Sequence, residues 1–373
     1  LYQNQRIDKL FLLLALLLLA SGLVILGSAS IALSQKNTGT LFYYVVRQLF
    51  LGGGLGMLAL LITQKIPYLF WRRLGIVLML LSFVLLALVF LPQLSFRHGG
   101  ASRWVTLGPI TFQPSEILKF SFTVYLASWL DARRKEMERV AYGIIPFTLM
   151  LSVIGLFLAL QPDIGTLGII VGSAAILYFV GGGKVSQIAF FGVFALILLF
   201  LLVQLAPYRL HRFVVFINPT HDPSGIGYQI NQALIAIGSG GFLGMGLGRG
   251  LQKYDYLPES IGDSIFAVFA EEVGFLGVAA LIVLFGAFFW RGMVIAKRAP
   301  DQFGLMLGAG FSVMIMLQAF VNMAAISGLL PLTGIPLPFI SYGSTSLVMT
   351  LAGVGVLLNI SKSSGIPIKS KMP

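Results

Sequence analysis

The sequence predicts an all-α integral membrane protein of about ten transmembrane helices, with both termini cytoplasmic and a long extracytoplasmic loop between spans seven and eight. Three observations carry that expectation. Of the 373 residues 57% are hydrophobic and only 10% charged, against roughly 25% charged in a soluble domain. The apolar residues fall in continuous rather than alternating runs, and the cations gather in the short stretches between them. Hydrocarbon offers no partner to backbone N–H and C=O groups, so a spanning segment closes its own hydrogen bonds as a helix or a closed barrel. Continuous runs select the helix.

The first run follows Arg6 and Lys9 and covers 10–33, longer than a signal-peptide core and without a small-residue cleavage pattern, so a retained span is expected. The chain opens on Leu1 rather than Met, as expected of a sequence that lacks its true start. Further runs cover 44–64, 74–92, 114–130, 141–160, 164–181, 186–206, 263–290, 303–328 and 346–360. With the N-terminus cytoplasmic, the inner connections hold Arg72 and Arg73, then Arg133, Arg134, Lys135 and Arg139, then Lys184, then Arg291, Lys297 and Arg298, and the tail holds Lys362, Lys369 and Lys371. The short outer connections hold only Lys36, Arg97 and Arg103, and 161–163 and 329–345 contain no Lys or Arg, which is the positive-inside bias. The stretch at about 207–262 is rich in Gly, Pro and Asn and falls outside by the same count. Its apolar pieces, Ile230 to Ile237 and Phe242 to Leu247, are too short to span and are expected to re-enter or lie on the membrane surface. No solenoid repeat or soluble domain interrupts the pattern, so 1–373 reads as a single polytopic membrane domain.

A net charge of +12 raises nucleic acid as a partner, but cations clustered between apolar runs are accounted for by topology and by anionic membrane lipids. Nucleic acid is set aside. With no cysteine, disulfides, thiolate nucleophiles and cysteine metal sites are excluded. His98, His211 and His221 make no metal-ligand spacing.

An ionisable side chain at membrane depth needs a partner or a task. Gln113-Pro114-Ser115-Glu116 opens the fourth span with proline in its first turn, and Glu116 and Lys119 stand at i and i+3 on one face. They can neutralise each other within the bundle or serve a site. The preceding loop adds Arg97, Arg103 and Trp104, a set that reads equally as an interfacial anchor. Before the eighth span come Asp255, Glu259 and Asp263, and within it Glu271 and Glu272. Ser260 and Asp263 fit the S-x-x-D helix start, so one reading makes Asp263 a cap. The other makes it a half-shielded carboxylate of raised pKa, fit to act as general base or to hold Mg2+ or Mn2+ with a second acid. Asp263, Ala267, Ala270, Glu271 and Gly274 share one helix face, as beside a cavity or a close helix contact. Glu271 and Glu272 lie two turns deeper and read as structural partners of a buried base. Asp163, in Gln161-Pro162-Asp163-Ile164-Gly165-Thr166, is a cap or a site acid at an outer turn. The glycine-rich stretches Gly238 to Gly241 and Gly244 to Gly250 lack the strand and helix context of a phosphate cradle and read as turns or tight packing.

Taken in order, Arg103-Trp104, the segment from Gln113 to Lys119, Gln161 to Thr166, Arg212 with Asn218-Pro219, Gly227-Tyr228-Gln229, Ala236 to Gly241, Leu257-Pro258-Glu259, Asp263 with Phe266-Ala267-Val268 and Glu271-Glu272, and Pro336 to Gly343 form a highly specific series. Over nearly its whole length the chain resembles the shape, elongation, division and sporulation family of cell-wall glycan polymerases. It departs from the family pattern at Gly262 and Ser264, where Thr and Phe commonly flank the acid, and at Ser344, where a second glycine is common. The resemblance implies a peptidoglycan glycosyltransferase that polymerises lipid II at the outer face of the bacterial cytoplasmic membrane and releases undecaprenyl pyrophosphate. The elongation branch is the nearer match, on the short termini and the loop pattern.

The resemblance also implies roles. Asp263 is the catalytic carboxylate, deprotonating the GlcNAc 4-hydroxyl for an inverting attack. Lys119, Glu116, Arg103, Arg212, Trp104, Asp163 and Ser341 bind substrate or pyrophosphate. A divalent cation, Mg2+ or Mn2+, sits by Asp263 and Asp255, and a class B penicillin-binding protein with one membrane helix is the partner. Two rivals stand beside this reading. A lipid II flippase would also use ten helices and intramembrane charges, though no paired half-repeat is found and the acids cluster at the outer edge. A non-catalytic scaffold for the transpeptidase would tolerate replacement of Asp263.

Overall fold

The computed structural model describes residues 6–98, 101–108, 110–137, 139–204, 207–218, 222 and 225–363, the side chains of 96–98 among others excepted. Pro219, His221, Lys369 and Lys371 lie outside the described residues, as do the side chains of Arg97 and His98.

Helices occupy all ten expected places. They are α1 (Lys9–Thr38), the composite of α2 (Tyr43–Arg47), a π-helical segment (Gln48–Gly54) and α3 (Leu55–Lys65), then α4 (Tyr68–Leu88), α5 (Pro114–Ala132), α6 (Ile144–Leu160), α7 (Ile164–Val180) and α8 (Val185–Gln204). After α9 (Pro207–Ile217) and α10 (Ile226–Gly240) come α11 (Ile265–Lys297), α12 (Gln302–Ile326) and α13 (Ser344–Ser363). Among the described residues six helical stretches, namely α1, α2 through α3, α4, α11, α12 and α13, are individually long and apolar enough to cross a membrane. Of the other four, α6 and α7 have 17 residues each, about 26 Å of helix against a hydrocarbon core of about 30 Å, α5 carries Glu116, Lys119 and Asp131, and α8 is uncharged along its 20 residues. This is a helical, multi-pass membrane protein.

The bundle is organised around α12, which packs against α5, α7, α11 and α13. Small residues let it approach closely: a side chain at Gly308 would press on Ala296, and one at Gly310 on Thr123 and Leu177. By contrast α4 presents Ile76, Val77, Leu80, Leu81 and Val84 outward, as a lipid-facing helix does.

Two features add detail to this helical fold. The connection between α4 and α5 is a three-stranded antiparallel sheet, β1 (Ser95–His98), β2 (Ala101–Leu107) and β3 (Ile110–Phe112), in the order β1-β2-β3. The sheet is a small addition to a helical membrane protein. The segment alternates β-branched and aromatic residues, such as Trp104, Val105, Thr106, Thr111 and Phe112, and turns at Gly108 with φ +61°. The 207–262 stretch also holds regular structure: Ile230 to Ile237, one of the two pieces expected to re-enter or lie on the membrane surface, is the centre of α10, which packs on α11.

The shared face expected along α11 ends at Gly274, whose φ of 66° and ψ of −166° break the helix. The break frees backbone groups, and the glycine-rich loop takes them up. Met245 and Gly246 donate N–H to the carbonyls of Glu271 and Glu272 (3.0 and 2.9 Å), while Phe275 and Leu276 donate to Gly241 and Phe242 (2.9 and 3.2 Å). Non-helical backbone at membrane depth is tolerated only when protein satisfies it in this way. A Cβ on Gly244 or on Gly274 would overlap the other strand of this exchange, so the expectation of tight packing rather than a phosphate cradle holds here.

Candidate active site

The site is built around one irregular segment, 332–341, that lies between α12 and α13. Its carbonyl oxygens are taken one after another by polar side chains from separate elements. Arg212 of α9 donates to Leu332 O (2.8 Å), Asn322 of α12 to Ile335 O (2.8 Å) and Gln318 of α12 to Pro336 O (2.9 Å). Ser341 receives the N–H of Leu337 (2.8 Å) and donates to Gly262 O (2.7 Å), while Tyr342 N–H reaches Ile261 O (2.9 Å). The segment thus pins the chain just ahead of Asp263.

Asp263 sits just ahead of α11, half-buried. It does not cap that helix: Ser264 holds the cap position, and no side-chain bond caps the helix. Its backbone carbonyl accepts from Asn322 Nδ2 (2.8 Å), and its Oδ1 faces Gln229 Nε2 (3.4 Å) and Ser264 Oγ (3.5 Å). Loss of hydration and the nearby charge of Glu259 push its carboxyl up to about 6, against the opposing pull of Arg212. Such a carboxylate is ionised at neutral pH yet basic enough to take a proton.

Arg103 comes from β2. Its Nη2 donates to Pro162 O, next to Asp163 at the start of α7. The point a Cβ would occupy on Gly334 lies 3.7 Å from Arg103 Nη1 and 3.8 Å from Asp263 Oδ2, so cation and acid face one small gap that glycine leaves open. Three buried polar atoms around this gap have no partner among the described residues: Arg103 Nε, Asp163 Oδ2 and Asn322 Oδ1. Buried polar atoms are rarely left so without a ligand or water to meet them.

Lys119 is buried and doubly held, donating to Glu116 Oε1 (2.8 Å) and Gln318 Oε1 (2.6 Å). The two charges neutralise each other within the bundle, and Gln318, which Lys119 also holds, bonds the 332–341 segment at Pro336 O. Asp163 does cap, its Oδ1 accepting from Thr166 N (3.3 Å), and its other oxygen remains available. Trp104 follows Arg103 on β2 and so points to the opposite face of the strand; nothing described brings it to Asp263.

The residues named for a divalent cation do not fit one. Asp255 gives its carboxylate to Lys36 at an exposed ion pair (2.6 Å), and Asp263 faces amide and guanidinium donors. Among the described residues no group of three His, Cys, Asp or Glu is placed to hold a metal ion.

Sequence reasoning missed Gln318, Asn322, Gln48 and Lys253. Gln318 and Asn322 are polar amides at i and i+4 in an otherwise apolar helix, a spacing that signals one shared polar face. Gln48, in the π-helical segment, is buried and bonds Ser341 O (3.4 Å) and Gly343 N (3.2 Å). Lys253 is the buried base expected for Glu272, at 2.6 Å. Glu271 instead accepts the N–H groups of Leu251 (2.9 Å) and Gln252 (3.3 Å).

A cluster of cations and one raised carboxylate at one end of a helical membrane bundle defines a class of membrane protein, and the sequence comparisons name it. The profile of the cell cycle protein family of FtsW, RodA and SpoVE matches residues 8–365, and the chain belongs to that family. It is 39% identical over 357 residues to stage V sporulation protein E of Bacillus subtilis, covering 96% of this chain and 97% of that protein. It is 40% identical over 361 residues to a probable peptidoglycan glycosyltransferase FtsW of Geobacter sulfurreducens, covering 96% and 95%. Among solved structures it matches a chain of a peptidoglycan synthase complex described for coordination of polymerisation and crosslinking, with a TM-score of 0.79, 29% identity and coverage of 96% and 99%. It also matches the rod shape determining protein RodA of Thermus thermophilus, with a TM-score of 0.70, 29% identity and coverage of 96% and 98%.

Proposed function

We propose that this chain is an inverting peptidoglycan glycosyltransferase that polymerises lipid II at the outer face of the cytoplasmic membrane. The observation that carries the reading is a carboxylate lifted to about 6 that shares a small gap with the Arg103 guanidinium. Asp263 takes the proton of the GlcNAc 4-hydroxyl of one lipid II. That oxygen bonds to the anomeric carbon of the MurNAc at the end of the growing chain, the bond from that carbon to the phosphate oxygen breaks, and undecaprenyl pyrophosphate leaves with the electron pair. A positioned base supplies about 10²- to 10⁴-fold, and charge stabilisation of the leaving pyrophosphate supplies more.

The cations divide that work. Arg103, with Nε unpaired, is free to meet phosphate oxygens, and a guanidinium suits them in a bidentate fork. Arg212, held by its bond to Leu332 O, adds positive potential at Asp263. Lys119, already committed to Glu116 and Gln318, positions the segment rather than binding pyrophosphate directly. Asp163 Oδ2 and Asn322 Oδ1 are acceptors for sugar hydroxyls. Ser341 holds the Asp263 turn. Trp104 contributes a membrane-interface ring outside the gap.

A class B penicillin-binding protein is the proposed partner, supported by the match to a chain of a peptidoglycan synthase complex. The loop pattern favours a role in elongation. Identity of 39–40% to relatives named for sporulation and for FtsW favours a division or sporulation role instead, and complementation of an elongation-deficient and a division-deficient strain separates the two. The test of the chemistry is polymer formation from labelled lipid II, with partner present and penicillin added, by wild type, Asp263→Ala and Asp263→Asn of confirmed fold. Loss of polymer supports the mechanism and retention refutes it. Loss of lipid movement with polymer retained selects the flippase, and full transpeptidase activation by both variants with no polymer from wild type selects the scaffold.

A further inference from the structure

At the end of the bundle opposite Asp263, the start of α1 meets the ends of α11 and α13 around a cavity of about 380 Å³. That is the volume of a small-ligand site. Its floor is a built feature: Arg291 grips Asp8 through Nε (2.9 and 3.1 Å) and Nη2 (2.9 Å), and Asp8 N–H donates to Ser361 Oγ (3.1 Å). Asp8 also caps α1 by accepting from Phe11 N (2.9 Å). The only carboxylate among the described lining residues is thereby fully engaged, while Arg6, Lys9 and Arg298 also line the cavity and make no ion pair among the described residues.

The rest of the lining is apolar, with Ile7, Leu10 and Val294, and Leu10 is 49% exposed on the outer surface of the bundle. A cationic mouth running into an apolar, lipid-facing wall matches a molecule that is anionic at one end and hydrocarbon at the other. A free inorganic phosphate would use the mouth and leave the wall without purpose.

We propose that this cavity binds the phosphodiester head group of an anionic phospholipid from the leaflet on the side of the termini. The phosphate lies against Arg6, Lys9 and Arg298, and the glycerol and first methylenes follow Ile7, Leu10 and Val294. Basic pockets between membrane helices favour such head groups by electrostatic attraction in a partly desolvated setting. A bound lipid would tie the first helix to α11 and α13, far from the gap at Asp263, and the proposal does not depend on the chemistry assigned there.

The test compares phosphatidylglycerol with phosphatidylcholine on the full-length protein in detergent, counting retained lipid by native mass spectrometry and following thermal unfolding as each is added. Wild type is expected to retain phosphatidylglycerol in preference. Arg6→Gln/Lys9→Gln/Arg298→Gln is expected to lose about tenfold or more in apparent affinity. The charge-matched Lys65→Gln/Arg73→Gln/Lys297→Gln, whose side chains are exposed and outside the cavity, is expected to change less than about twofold. Equal losses in both variants, or equal retention of the two lipids by wild type, overturn the proposal. Displacement of the lipid by millimolar inorganic phosphate or glycerol phosphate makes this a free-anion site and overturns it too. If the triple variant does not fold, Arg298→Gln alone is expected to lose about threefold, and no loss overturns the proposal.

Discussion

Asp263 and Glu272 stand on the same stretch of chain, one just ahead of α11 and the other about two turns along it, and their surroundings differ in one respect. Glu272 is buried and satisfied: Lys253 Nζ lies 2.6 Å from one oxygen, Ser28 of α1 donates to the other, and Ser28 in turn receives Gly248 N–H (3.0 Å). Asp263 has a long hydrogen bond from Gln229 (3.4 Å) and a neighbouring cation across an open gap, with unpartnered polar atoms nearby. A buried ion pair with every position filled holds the fold and has nothing left to offer a substrate. A carboxylate left short of partners keeps both its basicity and its room.

The sharpest break of this comparison is activity against stability at the two acids. Asp263→Asn is expected to lower polymerisation of labelled lipid II by about 10²- to 10⁴-fold with no loss of thermal stability. The Asn side chain can still accept from Gln229, so the turn around residue 263 has no reason to change. If Asp263→Asn unfolds the protein, or if it polymerises normally, the division of labour between the two acids is wrong.

Glu272→Ala is expected to do the opposite. It leaves Lys253 buried without its counter-charge, a change that costs about 3–5 kcal/mol, read as a lowered unfolding midpoint in detergent. Lys253→Met in the same chain removes the stranded cation and is expected to restore most of the loss, because neither charge is then left unpaired. Polymerisation per folded molecule by this double variant should stay near wild type. A double variant that is stable but inactive would place Glu272 in the chemistry.

The contrast also explains what the sequence could and could not reveal. The ten helical places were legible because each is a continuous apolar run. The structural part played by Glu271 and Glu272 was legible because two adjacent acids at membrane depth demand partners. Lys253 was not, since its pairing with Glu272 depends on the loop folding back along the broken helix. The break itself was hidden, because a lone glycine at 274 in an apolar run looks like any small packing residue. Gln318 and Asn322 were masked by the hydropathy of α12, and the sheet at 95–112 by strands of four, seven and three residues. Asp263 stood out only through the family motif. Its S-x-x-D spacing pointed to a cap, yet Ser264 occupies that position.

A smaller perturbation probes the open gap itself. Gly334→Ala places a Cβ at 3.7 and 3.8 Å from Arg103 and Asp263, at a backbone φ of +69°. The left-handed conformation costs a non-glycine residue about 1–2 kcal/mol, and displacement of either charged group is expected to reduce polymerisation by about tenfold. The corresponding change at Gly286, where a Cβ would meet nothing, is expected to leave activity unchanged. Equal rates for the two variants would mean that the gap is not where the substrate sits.

The smallest effect is one of pH. As a general base Asp263 works ionised, so kcat/KM is expected to rise with pH and level off above about 6, where its carboxyl titrates. Stability runs the other way. The folded protein holds this proton more tightly than the unfolded chain, whose Asp titrates near 3.9, so between those two values the folded state binds more protons. Its stability therefore falls as pH rises through that window. Asp263→Asn cannot lose a proton there, so relative to wild type it is expected to gain stability from about pH 4 to about pH 6 and to keep the gain above it, with no difference below. Unfolding midpoints of both proteins across pH 3.5 to 8 check this. Parallel curves would mean that the carboxyl titrates in its ordinary range, and any raised basicity of Asp263 would then have to come from the bound substrate instead of the fold.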